Sequence, residues 1–238
     1  MIGVGFPSPA VRPFYARGPG GIVTYALGAA AYTTGALVYT MTVSLGATDT
    51  LLVGIGYDGV ILGASAQVTI DGNALAGVLS QIYDAALNSS VEMWEIPLNG
   101  TAVSGGTLAV DFTTVGVAPA NLGIVARGVT ALQQAPDPFD VGNNNFGNSA
   151  TPDSGLTPMT AIANEFVYGV ISARGTAGDL AGAWQGGFVT GQRAATAALG
   201  VDIRDGWLLP AATGTFKARQ TGCTLRRWGA LCGTYLGA

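Results

Sequence analysis

Glu92 and Glu95, three residues apart in VEMWEIP, come closest in type and spacing to a catalytic pair. Glycoside hydrolysis needs only two carboxylates about 5–9.5 Å apart, one acting as acid and the other as base or nucleophile. The alternation around them reads as a strand, and on a strand an offset of three sends two side chains to opposite faces. A working pair would therefore need a second acid from elsewhere, such as Asp58 or Asp111. Other routes are closed more firmly. The 238 residues contain no histidine, which removes the Ser-His-Asp and Cys-His triads and histidine-based zinc sites. Two cysteines, Cys223 and Cys232, cannot form a thiolate zinc site alone. Neither GxxxxGK(S/T) nor a strand-GxGxxG-helix unit occurs. The expectation is a protein that is not an enzyme, with no catalytic residue, cofactor or metal to assign.

Hard oxygen donors gather in QQAPDPFDVGNNNFGNSATPDSGL, from Gln133 to Leu156: Asp137, Asp140, Asn143, Asn144, Asn145 and Asp153. Such donors suit calcium. Their spacing is not that of an EF-hand, and Asn and Asp also collect in loops because they cap turns and tolerate left-handed backbone. Trp184, Trp207, Tyr57 and Phe146 are the aromatics from which a sugar-stacking platform could be built, although packing claims most such side chains.

The elements that must position these residues read as strands. Val91 to Gly116 looks like a hairpin, with Leu108, Val110 and Phe112 alternating against Thr107, Ala109, Asp111 and Thr113. Further strands are expected at Ile22–Leu27, Ala36–Ser44, Thr50–Tyr57, Gln67–Ile70, Leu122–Leu132, Glu165–Ala173, Trp184–Ala197, Gly214–Arg219 and Cys223–Leu236. Leu75–Tyr83 fits a short helix or a strand. Asp58-Gly59 and Asp71-Gly72 are turn dipeptides. Gly54 and Gly56 share one strand face, where absent side chains allow another layer or a ligand to approach, packing being the plainer reason. Ten or so short strands punctuated in this way predict an all-β fold, a single β-sandwich of jelly-roll or related Greek-key type over residues 22–238.

Residues 1–21, with four prolines and five glycines, read as an extended N-terminal arm. Phe6, Phe14 and Tyr15 are its natural contact residues. From Gln133 to Leu156 the pattern stops. Long ordered loops are usually functional or interfacial, so Phe139 and Phe146 join the arm aromatics as expected interface residues.

Only 10% of the residues are charged, against the ~25% typical of soluble domains. A surface so poor in charge exposes Thr, Ser, Asn and Gly or is covered by neighbours, which suggests an assembly. The net charge is -4 and Lys217 is the only lysine, so no nucleic-acid footprint is present. Arg226 and Arg227, with Lys217 and Arg219 nearby, read as solvent or interface contacts. If Cys223 to Tyr235 is one strand, the two thiols point to different faces and no bridge is expected, whereas a hairpin turning near Arg227 would allow one. Arg12 and Arg17 before the apolar run Ile22–Ala31 imitate a secretory signal, but Pro7, Pro9, Pro13 and Pro19 crowd it. The charge-free stretch Gly18–Thr48 is too broken by glycine and too rich in Thr to read as a membrane span.

The order TLLVGIGYDG, QVTIDGNAL, VEMWEIPLNGT with GGTLAVDFTT, IVARGVTALQQAPDPF, ANEFVYGVISARG and FKARQTGCTLRRWGAL, from Thr50 to Leu231, resembles a loosely defined group of Gly/Thr/Ala-rich β-sandwich domains. That group is common in tailed-phage virion proteins and in some bacterial surface proteins. The resemblance implies a non-enzymatic structural subunit made in the host cytoplasm and carried in the virion, as capsid decoration or as part of a tail or fibre. Its partners would be other copies of itself and other virion proteins, a major capsid or tail protein, with no nucleic acid and no membrane. The alternative is a carbohydrate-binding or adhesin module of a bacterial surface, which leaves a glycan as a possible partner.

Overall fold

The computed structural model describes residues 21–33, 35–47, 49–59, 66–86, 89–135, 138–160, 162–163, 165–196 and 200–238. Phe6, Phe14 and Tyr15 lie outside them, as does Asp137. The described chain is all-β, as the turn-punctuated alternation implied, and its antiparallel sheets pack as a sandwich.

Three sheets lie face to face. The central one runs β1 (Thr24–Tyr32), β9 (Asn121–Thr130), β3 (Asp49–Asp58), β7 (Ser89–Pro97), β6 (Ala76–Asp84), antiparallel throughout. A four-stranded sheet, β2 (Val38–Leu45), β8 (Val103–Asp111), β4 (Gln67–Ile70) and β5 (Asn73–Ala74), covers one face of it. A C-terminal sheet covers the other, in the order β10 (Phe139–Ser149), β16 (Arg226–Tyr235), β11 (Phe166–Gly175), β14 (Gly200–Leu208), β13 (Val189–Ala195). A ribbon of β12 (Ala183–Trp184) and β15 (Gln220–Thr221), with its flanking loops, lies on the outer face of the C-terminal sheet.

Strand parity sorts the core. Leu51, Val53, Ile55 and Tyr57 of β3 meet Leu108, Val110, Val68, Ile70 and Phe112 of the four-stranded layer. Full burial of each such side chain is worth about 1.5–3 kcal/mol. The other β3 face presents Leu52, Gly54 and Gly56. A Cβ on Gly54 would come within 2.8 Å of Val170, and one on Gly123 within 2.6 Å of Ile203, so glycine lets the C-terminal sheet settle closely. Gly54 and Gly56 therefore serve packing. With both faces covered, all ten β3 residues are buried, which explains a run that reads as uniformly apolar.

The hairpin expected from Val91 to Gly116 is not one. β7 joins the central sheet and β8 the four-stranded sheet, so the Asn99-Gly100 turn carries the chain from one layer to the next. Both segments alternate correctly, and alternation alone does not say which sheet a strand joins. Asp71-Gly72 does close a tight β4/β5 turn, with φ of +48° and +81°. Leu75–Tyr83 is resolved as the edge strand β6, bulged at two places. The stretch from Gln133 to Leu156 is not a structureless loop, since its middle part, Phe139–Ser149, is β10. The expected strand Gly214–Arg219 is extended chain with one bridge at Arg219, whereas β14 falls where none was expected. Cys223 precedes β16 rather than belonging to it. It lies with Cys232 in the outer apolar cluster instead of on the opposite face, and both thiols are free.

Candidate functional site

Glu92 and Glu95 face opposite sides of β7, as parity requires. Glu92 is buried and accepts hydrogen bonds from the Tyr57 hydroxyl at 2.5 Å and the Trp94 indole N–H at 2.9 Å. Burial, and then the Glu92 charge, hold the Tyr57 hydroxyl well above its ordinary pKa, so Tyr57 stays a neutral donor to this carboxylate. Glu95 sits by parity on the face of Met93. The acids that might complete a pair are engaged in turns and strand ends: Asp58 Oδ1 accepts from the Asn121 backbone N–H at 2.8 Å, and Asp111 Oδ1 from that of Thr113 at 2.6 Å. Trp94, Glu92 and the β6 residues Gly77–Ser80 line a recess of about 340 Å³.

The calcium donors are dispersed. Asn143 Nδ2 donates to the Leu156 carbonyl, Asn144 Nδ2 to that of Ser80 and Asn145 Nδ2 to that of Asp153. Asp153 pairs with Lys217 and Arg219. Among the described residues, no group of three or more Cys, Asp or Glu is placed to hold a metal. Asp140 instead lies beside Glu165, whose pKa is raised, first by burial and also by the charge and hydrogen bond of Asp140. The aromatics form no common platform. Trp184 stacks on Phe188 in the outer cluster, Trp207 packs near Phe166, and Tyr57 is in the core with Phe112.

The irregular-looking stretch builds an outer surface. β10 is a terminal strand of its sheet, held on one side by β16 from Gly142↔Gly233 to Ser149↔Arg226. Among the described residues, no further strand pairs with the other side of β10; the Asn144 N–H donates to Asn143 Oδ1 at 2.9 Å, and the Asn144 side chain reaches the Ser80 carbonyl of β6. Phe146 is 58% exposed here. Phe139 differs: it is half-buried against Tyr235, with ring centroids 5.7 Å apart. Of the two expected contact aromatics, only Phe146 is presented outward.

Beyond β10 the chain takes a threefold rhythm. Ser154, Thr157 and Thr160 each donate a backbone N–H to the carbonyl of Ala218, Phe216 and Gly214 in turn, at 3.0, 2.7 and 2.9 Å. The N–H of each partner returns a bond to the matching side-chain hydroxyl at 3.0–3.1 Å. With one residue in three fastened, a three-per-turn extended chain aligns the others in rows. Leu156, Met159 and Ile162 form one such row, 55%, 70% and 45% exposed. The Asn143–Leu156 bond places this ridge beside β10. The signal was in the sequence as S-x-x-T-x-x-T, a period of three that tests for helices and strands pass over.

Sequence reasoning also missed the buried ion pairs. Arg127 Nε donates to Asp205 Oδ2 at 2.8 Å between the central and C-terminal sheets, with both side chains essentially inaccessible. Arg193 grips Asp202 with two bonds of 2.6 and 2.8 Å. No family model matches the chain, and no curated protein matches it.

Proposed function

We propose that this chain is a non-enzymatic structural subunit of a tailed-phage virion, a capsid decoration subunit first and a tail or fibre component second. It acts by associating with copies of itself and with a major capsid or tail protein. The supporting observation is the open β10 edge, flanked by exposed Phe146 and by the Leu156–Met159–Ile162 ridge. An unpaired strand with apolar neighbours is a template for another chain, which proteins otherwise blunt with charge, proline or cover. From Val141 to Ser149 this strand has no charged residue and no proline. The acids weighed for chemistry are occupied: Glu92 by Tyr57 and Trp94, Asp58 by Asn121 and Asp111 by the Thr113 turn.

The test is cosedimentation of the full chain with capsids, and separately with tails, of the phage that encodes it. Saturable binding to either is expected. A monomer that binds neither would overturn the reading.

A second reading rests on the recess beside Trp94, where an indole and a carboxylate stand at a bulged edge strand, the ingredients of a sugar subsite. A glycan array probed with the isolated chain, with loss of signal in Trp94→Ala, would favour a carbohydrate-binding or adhesin module.

A further inference from the structure

Three of the eight basic side chains among the described residues line one recess of about 250 Å³, together with Asp84, Asn148 and Leu225. They arrive from two neighbouring strands. Arg226 and Arg227 open β16 and point to opposite faces. Arg174 lies on β11 one step past Ala173, the partner of Trp228, so it falls level with Arg227. Asn148 of β10 pairs directly with Arg227. The row Asn148, Arg227, Arg174 thus crosses three adjacent strands at the open end of the sandwich. Like charges level with each other on adjacent strands are unfavourable unless something neutralises them.

Two of the guanidiniums are answered within the protein. Arg227 Nη1 meets Asp84 Oδ1 at 3.0 Å, and Arg226 Nε meets Asp179 Oδ2 at 3.0 Å. Arg174 is not. Among the described residues it has no ion pair within 4 Å, and its Nε is buried without a hydrogen-bond partner. Asp84 in the same recess is taken by Arg227, and Asp58, which feels the Arg174 charge without pairing with it, has both oxygens bonded to Asn121. A buried donor left unmade costs about 1–3 kcal/mol. A negatively charged oxygen ligand in the recess would answer the guanidinium's charge and also separate Arg174 from Arg227.

We propose that this recess is a carboxylate-binding site, in which Arg174 supplies the uncompensated charge and a forked pair of donors, with Asn148 and Arg227 on the flank. A single negative charge matches the one unanswered guanidinium. Asp84 faces the same space and repels a dianion. Leu225, 62% exposed at the rim, offers apolar contact to whatever carries the carboxylate. The carboxylate can come from a free organic acid or from an acidic side chain of a partner, and the two sources share this chemistry. The site is independent of the assembly reading and stands or falls on separate data.

The test follows the arginine Nε–Hε resonances of the full chain by NMR during titration with acetate, with a short peptide containing one aspartate, and with inorganic phosphate. Expected are saturable shifts of the Arg174 Nε–Hε with acetate, tighter saturation with the peptide if a partner side chain is the source, and weaker binding of phosphate. Arg174→Met should reduce carboxylate affinity at least tenfold, and Arg174→Lys, which keeps the charge but loses the fork, severalfold. Arg219→Met, at Asp153 and away from the recess, should leave it unchanged. Native amide spectra of the two Arg174 variants separate loss of binding from loss of fold; if both unfold, Arg226→Gln, which also lines the recess, should weaken acetate binding. Shifts that never saturate, equal affinity in Arg174→Lys and the parent, or phosphate binding more tightly than acetate would overturn the proposal.

Discussion

Toward the four-stranded sheet, the central sheet presents Leu51, Val53, Ile55 and Tyr57 to Leu108, Val110 and Phe112. Toward the C-terminal sheet it presents Leu52, Gly54, Gly56, Gly123 and Arg127 to Val170, Ser172, Ile203 and Asp205. The first interface is filled by large side chains. The second is brought close by glycine and pinned by an ion pair. Apolar side chains of roughly fitting volume hold two layers together without strongly choosing their offset. A buried ion pair contributes little net stability, but it strongly penalises any offset that separates its partners. The C-terminal layer is thereby fixed in register, and with it the position of β10 and its open edge.

Breaking the pair should have the largest effect. Asp205→Ala takes the carboxylate of this ion pair from the buried Arg127, which keeps its bond to Thr24, and is expected to cost about 3–5 kcal/mol in chemical denaturation. The double variant Arg127→Met/Asp205→Leu should recover that loss or exceed the parent by about 1–4 kcal/mol. A single variant no worse than a surface substitution would show that the pair is not sealed from water. On the other face, removing volume is what hurts: Leu108→Ala should cost about 2–5 kcal/mol. Adding volume is what hurts across the glycines, and Gly54→Ala should cost about 1–3 kcal/mol through Val170. If Gly54→Ala were instead neutral, the close approach of the two layers would be in error.

A smaller effect concerns pH. Burial and Asp140 raise the Glu165 carboxyl above its ordinary value, so the folded state holds this proton more tightly than the unfolded chain. The associated stability is fully present below the unfolded pKa and is lost as pH rises through the folded one. Glu165→Gln should therefore gain most over the parent at neutral pH, and the gap in melting temperature should narrow as pH falls toward about 4.5, the ordinary glutamate range. A gap that widens on acidification would reverse the assignment.

Strands β3, β7 and β9 of the central sheet were legible because their side chains obey simple alternation or continuous burial, whereas the bulged edge strand β6 fitted a helix as well as a strand. Which sheet each joined was not legible: β7 and β8 have good patterns and a good turn between them, yet part company. β14 was missed because Asp202, Arg204 and Asp205 look like surface residues until Arg193 of the neighbouring β13 meets Asp202 and Arg127 of the central sheet meets Asp205. β10 was hidden by its asparagines, turn-forming by habit, which here fasten neighbouring carbonyls along an edge strand. The irregular stretch was nominated for contacts, but Phe139 and Phe146 could not be distinguished until the edge was placed. Arg174 gave no sign in the sequence, because its lack of an ion pair within 4 Å among the described residues is a property of the folded arrangement alone.

Phe146→Lys tests the claim that function resides on the β10 edge most directly. As an exposed substitution it should leave stability within about 0.5 kcal/mol of the parent. Sedimentation velocity of parent and variant, alone and with capsids or tails, should show association for the parent and loss of it for the variant at matched concentration. Association undiminished in the variant, with the same sedimentation profile, would contradict the account.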